Sequence, residues 1–178
     1  MCFFNIETYE MKKNLVLVGM MGSGKSTISR LLSDITKQNL IDTDQLIEKE
    51  TKLKINEIFK KKGENFFRKL EEKTTIKFLK SYNNVISLGG GGFLNEKIRK
   101  EIISNHLSFW LNWDSETLIN RIKNNKTRPL TIHLSNAEIN KLISNRSKMY
   151  SKANFEINCN KQTKNEVIEK ILQIYEKH

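Results

Sequence analysis

Proline occurs once, at Pro129, and cysteine twice, at Cys2 and Cys159, in a chain of 178 residues. Two cysteines so far apart point to neither a disulfide framework nor a metal cluster. They read as ordinary thiols of a reducing cytoplasm. No apolar run approaches the ~20 residues that a membrane-spanning helix needs, so no membrane association is expected. Met1 to Glu10 lack the basic start and long apolar stretch of a signal peptide, and they are expected to form a frayed extension before Met11-Lys12-Lys13. No internal repeat and no long linker divides the chain, and its length suits one domain with its own core. Acidic side chains are the minority, 20 against 31 basic ones, giving a formal charge of +11. Such a surplus can attract nucleic acid. However, the lysines are scattered along helical segments and no nucleic-acid-binding module accompanies them. A solvated basic surface that draws in small anions is the better reading, with no nucleic-acid partner.

What the chain does have is G-M-M-G-S-G-K-S at Gly19 to Ser26, directly after the apolar run Leu15-Val16-Leu17-Val18. The run fits G-x-x-x-x-G-K-[ST] with the flanks that motif requires, a buried strand before it and a helix after it. Glycines let the backbone curl so that its N–H groups face phosphate oxygens. Lys25 can reach the β- and γ-phosphates, and the Ser26 hydroxyl can hold Mg²⁺. The helix that follows, with an apolar stripe of Ile28, Leu31, Leu32 and Ile35, aims its positive end at the same anion. The chain therefore binds a nucleoside triphosphate, and what receives the phosphate is the open question.

Short apolar runs alternate with helical patterns along the rest of the chain. Strands are expected at 15–18, 40–41, 85–88, 107–111 and 155–157. Helices are expected near 25–36, 44–50, 55–61, 64–81, 96–104, 115–123, 136–150 and 165–176. This alternation indicates a parallel sheet covered by helices on both faces. Ligands of such sheets sit outside the carboxyl ends of the strands, here just after Val18, Ile41 and Leu88.

Unusual residues stand at those places. Asp42-Thr43-Asp44 puts two carboxylates on one side if the backbone is still extended. One could bind Mg²⁺ and the other could accept hydrogen bonds from a substrate hydroxyl. An Asx turn with Asp44 capping the next helix fits the same residues. Gly89-Gly90-Gly91-Gly92 removes four side chains in a row, so that backbone can approach a ligand closely, or a hinge can form. Arg68 stands beside the apolar stripe Phe67, Leu70, Thr74 and Phe78, three residues before Glu71. That spacing can orient a guanidinium or make a surface ion pair. Arg146 falls on the apolar face of Ile139, Leu142, Ile143 and Tyr150. An inward guanidinium is costly unless an anion meets it, and its planar fork suits a carboxylate; snorkelling to solvent is the alternative. Lys123 to Ser135 is polar and contains Thr127-Arg128-Pro129-Leu130, which reads as a mobile lid whose arginine closes over the transferring phosphoryl group. His106, His133 and His178 show no partner spacing.

Taken together, G-M-M-G-S-G-K-S-T, D-T-D, G-E-N-F-F-R with Glu71, L-G-G-G, R-P-L and L-I-S-N-R-S-K-M-Y resemble the shikimate kinases from about Lys13 onward. The phosphate loop alone is shared by many NTPases, whereas the ordered set is specific to that family. The resemblance implies a three-layer α/β/α sandwich with a five-stranded parallel sheet, of the P-loop, nucleoside-monophosphate-kinase-like kind. It implies one kinase domain over 1–178, with its core at 11–178, an extension at 1–10, a lid at 123–135 and a substrate-binding region at 44–81. Gly22, Ser23, Gly24, Lys25, Ser26 and Thr27 would cradle ATP, with one Mg²⁺ at Ser26 and Asp42. Asp44 would hold the substrate hydroxyl, and Arg68 and Arg146 its carboxylate, with backbone at Gly90 and Gly91 assisting. Lys25, Asp44 and Arg128 would be catalytic, and Arg121 would stack on adenine. The substrates would be ATP and shikimate, acted on by a cytoplasmic monomer. The segment near Asn158 to Lys161 is less distinctive, and Gly92, an extra glycine, is expected to loosen its loop. Two rivals stand beside this reading: another small-molecule kinase on the same scaffold, acting on gluconate or a nucleoside monophosphate, and a non-catalytic module that binds nucleic acid.

Overall fold

A computed structural model describes residues 13–124 and 134–178. The opening extension and Arg128 with the central part of the expected lid lie outside the described residues. Five strands, β1 (Leu15–Val18), β2 (Asn39–Asp42), β3 (Asn84–Ser87), β4 (Leu107–Asn112) and β5 (Phe155–Asn158), form one sheet in the order β2-β3-β1-β4-β5. Every neighbouring pair is parallel, with Leu17 beside Ser87 on one side and Phe109 on the other. The helices are α1 (Lys25–Thr36), α2 (Thr43–Thr51), α3 (Ile55–Lys62), α4 (Glu64–Leu79), α5 (Glu96–Asn105), α6 (Ser115–Asn124), α7 (Asn136–Tyr150) and α8 (Lys164–Tyr175).

Strand alternation decides how the core divides. Val16 and Val18 point to one face and pack with Ile86, Ile98, Ile102, Ile139 and Tyr150. Leu15 and Leu17 point to the other and pack with Ile28, Leu32, Phe109, Val167 and Ile171. Helices thus cover both faces, giving the three-layer sandwich. A third, smaller core of Ile47, Ile55, Ile58 and Phe67 joins α2, α3 and α4 beside the main one.

Helix starts follow local capping chemistry. Ser135 with Glu138, and Thr163 with Glu166, form capping boxes at α7 and α8. Asn95 accepts from the N–H groups of Lys97 and Ile98 to start α5. In α1 the expected stripe is displaced: Ile28, Ser29 and Leu32 are buried, whereas Ile35 is 54% exposed. At about 100° per residue the buried arc centres between Ile28 and Ser29, which leaves Leu31 and Ile35 on its flank. In α4 the stripe likewise turns, with Phe67, Glu71, Thr74, Thr75 and Leu79 buried. Glu71 replaces the expected Leu70 in it, for a reason the site supplies.

Candidate active site

The carboxyl ends of β1, β2 and β3 converge on one edge, and the loops leaving them build a cleft. After β1 the chain takes positive φ at Gly19 (141°), Gly22 (80°) and Gly24 (90°), backbone that glycine adopts readily. Gly24 is the N-cap of α1, and the first turn of that helix lines the cleft, with the positive end of the helix dipole behind it. Lys25 is buried and donates to the carbonyls of Gly19 and Met20, each at 2.9 Å, which holds the ammonium across the loop it serves. The cleft is lined by Gly22, Gly24, Lys25, Ser26, Thr27 and Asp42.

At β2 the expectation of an extended D-T-D is corrected. The chain turns into α2 at Thr43, and Asp42, rather than Asp44, caps that helix by accepting from the Gln45 N–H at 3.1 Å. Asp42 has a second role, because the Ser26 hydroxyl donates to its other oxygen at 2.8 Å. Two hard oxygen ligands are thereby paired beside the phosphate loop. The Ser87 hydroxyl, 3.4 Å from that of Ser26, adds a third oxygen that sequence reading missed; only its place at the end of β3 could have signalled it. Asp44, in the first turn of α2, lines both this cleft and the neighbouring pocket.

That neighbouring pocket is bounded by Asp44, Phe59, Arg68, Glu71, Gly90 and Arg146. Arg68 donates to Glu71 at 2.7 Å and to Glu64 at 3.0 and 3.2 Å. Burial of the guanidinium opposes its charge, and the two carboxylates more than offset this, so Arg68 stays charged. Glu71 is only 2% exposed. Burial raises its carboxyl above the ordinary value, Arg68 pulls it back, and Asp44 adds to the rise. Glu71 therefore sits in the buried stripe of α4 because it anchors the arginine from below.

Arg146 is 6% exposed and lies on the inward face of α7, as its position seven residues after Ile139 predicts. It donates weakly to the Gly90 carbonyl at 3.5 Å and the Met20 sulfur at 3.8 Å, bonds the Tyr150 hydroxyl, and feels the Glu71 charge without pairing with it directly. Its Nε is buried without a hydrogen-bond partner among the described residues. Tyr150, one turn on, donates to the Gly90 carbonyl. Burial pushes its hydroxyl up to about 12 against the opposing Arg146 charge, so it remains a donor.

The glycine run is needed for space rather than for unusual φ. A Cβ on Gly89 would lie 2.6 Å from an Asp44 oxygen and 2.8 Å from a Glu71 oxygen, and one on Gly91 would overlap the Arg68 guanidinium. Gly92 corrects the expectation of a loosened loop. It opens a 3-10 turn over Gly92–Leu94, its N–H donates to Gly89 at 2.9 Å, and a Cβ there would meet Leu88 at 2.9 Å. Thr43, fully buried, fixes the run's other end by accepting from the Gly89 N–H at 2.8 Å. On the far side of the phosphate loop, Arg121 lies over the Trp113 ring, 3.9 Å from its centroid, beside a cavity of about 510 Å³.

A phosphate loop at the carboxyl edge of a parallel sheet, facing a pocket that joins two carboxylates to two guanidinium groups, defines a P-loop kinase of small anionic molecules. Residues 21–176 match the family model described as "Shikimate kinase". The chain is 40% identical over 161 residues to the shikimate kinase of Persephonella marina, covering 90% of this chain and 97% of that one. Among solved structures it resembles the shikimate kinase of Acinetobacter baumannii in complex with shikimate, with TM-score 0.88, 28% identity, and 95% and 96% of the two chains covered. It also resembles that of Aquifex aeolicus, with TM-score 0.82, 36% identity, and 92% and 96% covered. The chain belongs to the shikimate kinase family.

Proposed function

We propose that this chain transfers the γ-phosphoryl group of ATP to the 3-hydroxyl of shikimate, giving ADP and shikimate 3-phosphate on the route to chorismate and the aromatic amino acids. The observation that carries the reading is the buried Arg146 guanidinium, which has an unpartnered Nε in a pocket that also holds Arg68 and Asp44. A buried charge with no carboxylate directly paired to it among the described residues leaves room for an anion, and a carboxylate offers the fork-matched geometry. Asp44 lines the wall shared with the phosphate cleft, which supports its meeting the hydroxyl that attacks the γ-phosphate.

In this account the triphosphate lies along the amides of Gly22 to Thr27, and Lys25 exchanges its carbonyl partners for β- and γ-phosphate oxygens. The oxygens of Ser26 and Asp42 suit Mg²⁺, which takes few protein ligands when phosphates supply the rest, and a bound ion neutralises charge on the transferring group. Arg68 and Arg146 grip the carboxylate, with Gly90 and Gly91 lining the same wall. Asp44 orients the 3-hydroxyl in line with the γ-phosphorus and accepts its proton as the new O–P bond forms and the bridging bond to ADP breaks. Arg121 stacks on adenine, and Arg128, outside the described residues, closes from the lid. Positioning and electrostatics do most of the work. We further infer a single kinase domain that acts as a cytoplasmic monomer, with no nucleic-acid partner; among the described residues no helix is long and apolar enough to cross a membrane.

The test is ADP release coupled to an optical readout, with ATP and Mg²⁺ and with shikimate, gluconate or a nucleoside monophosphate offered separately. Turnover with shikimate alone is expected. Turnover only with another acceptor would keep the phosphate loop and overturn the pocket assignment. ATP binding without turnover, joined to salt-sensitive binding of DNA or RNA, would overturn the kinase reading.

A further inference from the structure

Trp113 follows β4 and wedges between the two main cores, packing against both. Two contacts set it apart from a filler. Its ring lies under the Arg121 guanidinium at 3.9 Å, and its indole N–H donates to the Ser23 carbonyl of the phosphate loop at 3.0 Å. At that separation no base fits between ring and guanidinium, so a nucleotide base in the adjoining cavity meets a stack whose lower layer is already in place. Among the described residues Arg121 otherwise makes a long 3.4 Å bond to the Gly22 carbonyl, and it is exposed. Without the indole its three-methylene arm would sample many rotamers, and ordering it would oppose binding.

We propose that Trp113 is a nucleotide-positioning residue. It pre-orders Arg121 as a stacking platform for the base, and it ties that platform to the phosphate loop through Ser23, so that base and phosphates are held in fixed register. The reading rests on Arg121 facing the base, as in the function proposed above, but nucleotide binding can be measured without any acceptor. Stacking of cations on aromatic faces and of bases on flat groups supplies the attraction.

The test is ADP affinity by calorimetry, together with steady-state kinetics, on the full chain carrying Trp113→Ala, Trp113→Phe and Arg121→Ala. Trp113→Ala is expected to weaken ADP and raise the KM for ATP about tenfold, leaving kcat and the KM for shikimate within twofold. Trp113→Phe keeps a ring but no N–H donor and is expected to recover most of the loss. In a Trp110→Phe background Trp113 is the one tryptophan left, so Arg121→Ala should change its emission before nucleotide is added, and ADP should change it saturably. Unchanged ADP affinity in a folded Trp113→Ala protein would overturn the proposal. So would a loss shared equally by ATP and shikimate, which marks a general packing defect. Should Trp113→Ala fail to fold, Trp113→Phe and the emission of Trp113 decide: no response to Arg121→Ala or to ADP overturns it. Intact ADP binding with no shikimate turnover in the wild-type chain would sink the function reading while leaving this one standing.

Discussion

Between Gly19 and Thr27 the site is made of backbone: turning glycines, first-turn amides, and one lysine laid over the carbonyls of Gly19 and Met20. Across the shared wall at Asp44 and Gly90, the acid pocket is made of side chains from α2, α4 and α7. The first half recognises anions through fixed dipoles and needs little support. The second half must hold full charges away from water, and its two arginines do so differently. Arg68 is neutralised in advance by Glu71 and Glu64, whereas Arg146 pairs directly with no carboxylate among the described residues and meets a distant carbonyl, a sulfur and the Tyr150 hydroxyl, with Glu71 acting on it through charge alone. Arg68 is thus kept in position, and Arg146 is kept in need of an anion. A pocket organised this way gives up some stability for affinity, as strained sites commonly do.

The sharpest way to break the contrast is at the wall between the halves. Asp44→Asn keeps shape and hydrogen-bond reach but removes the charge that, in the proposed mechanism, orients the hydroxyl and takes its proton. We expect kcat to fall roughly 10²–10³-fold with ADP affinity within twofold, and unchanged turnover would remove Asp44 from the mechanism. The next effect separates the arginines. Arg146→Ala should weaken shikimate by about 1.5–3 kcal/mol, and Arg68→Ala should cost less, because its charge is already shared with two carboxylates. Equal KM values for the two variants would contradict the division of labour. Arg146→Met should also melt no lower than the wild type, since it replaces a poorly partnered buried charge by a side chain of similar length. The smallest effect lies outside both halves and serves as a control. His106 is buried and bonded to the Leu79 carbonyl, and burial lowers its pKa. The unfolded chain then takes up a proton that the folded one resists, so this contribution is present above pH 6.5 and lost as pH falls through the folded value. His106→Gln should flatten the decline in melting temperature between pH 7 and pH 5. A steeper decline in the variant would reverse the sign.

The two halves also differed in legibility. The phosphate loop was readable because its residues are contiguous and the strand and helix flanking it have strong patterns: β1 and α1 lie at the expected residues. α7 does too, and the other elements differ at their ends by one or two residues, where caps decide. In the acid pocket, the inward Arg146 followed from helical period, since an arginine on an apolar face is conspicuous. Glu71 was legible only as a neighbour of Arg68, because periodicity cannot foresee a carboxylate chosen for a buried stripe. Ser87, Thr43 and Tyr150 were missed as site residues, since each acts through contacts 44 to 61 residues away. The geometry of D-T-D was misread because the residue that ends β2 also caps α2. Gly92 was misread because glycine in a sequence signals freedom, whereas here it signals a close approach to Leu88.

The central claim is that Arg146 awaits the substrate's carboxylate, and the most direct measurement removes that carboxylate from the ligand as well as the arginine from the protein. The affinities of shikimate and of its methyl ester should be compared in the wild type and in Arg146→Ala, both checked for folding. The account predicts that the wild type prefers the acid over the ester by about 10-fold or more, and that Arg146→Ala loses most of this preference. An undiminished preference in the variant would mean that the carboxylate binds elsewhere, and the pocket would need another ligand.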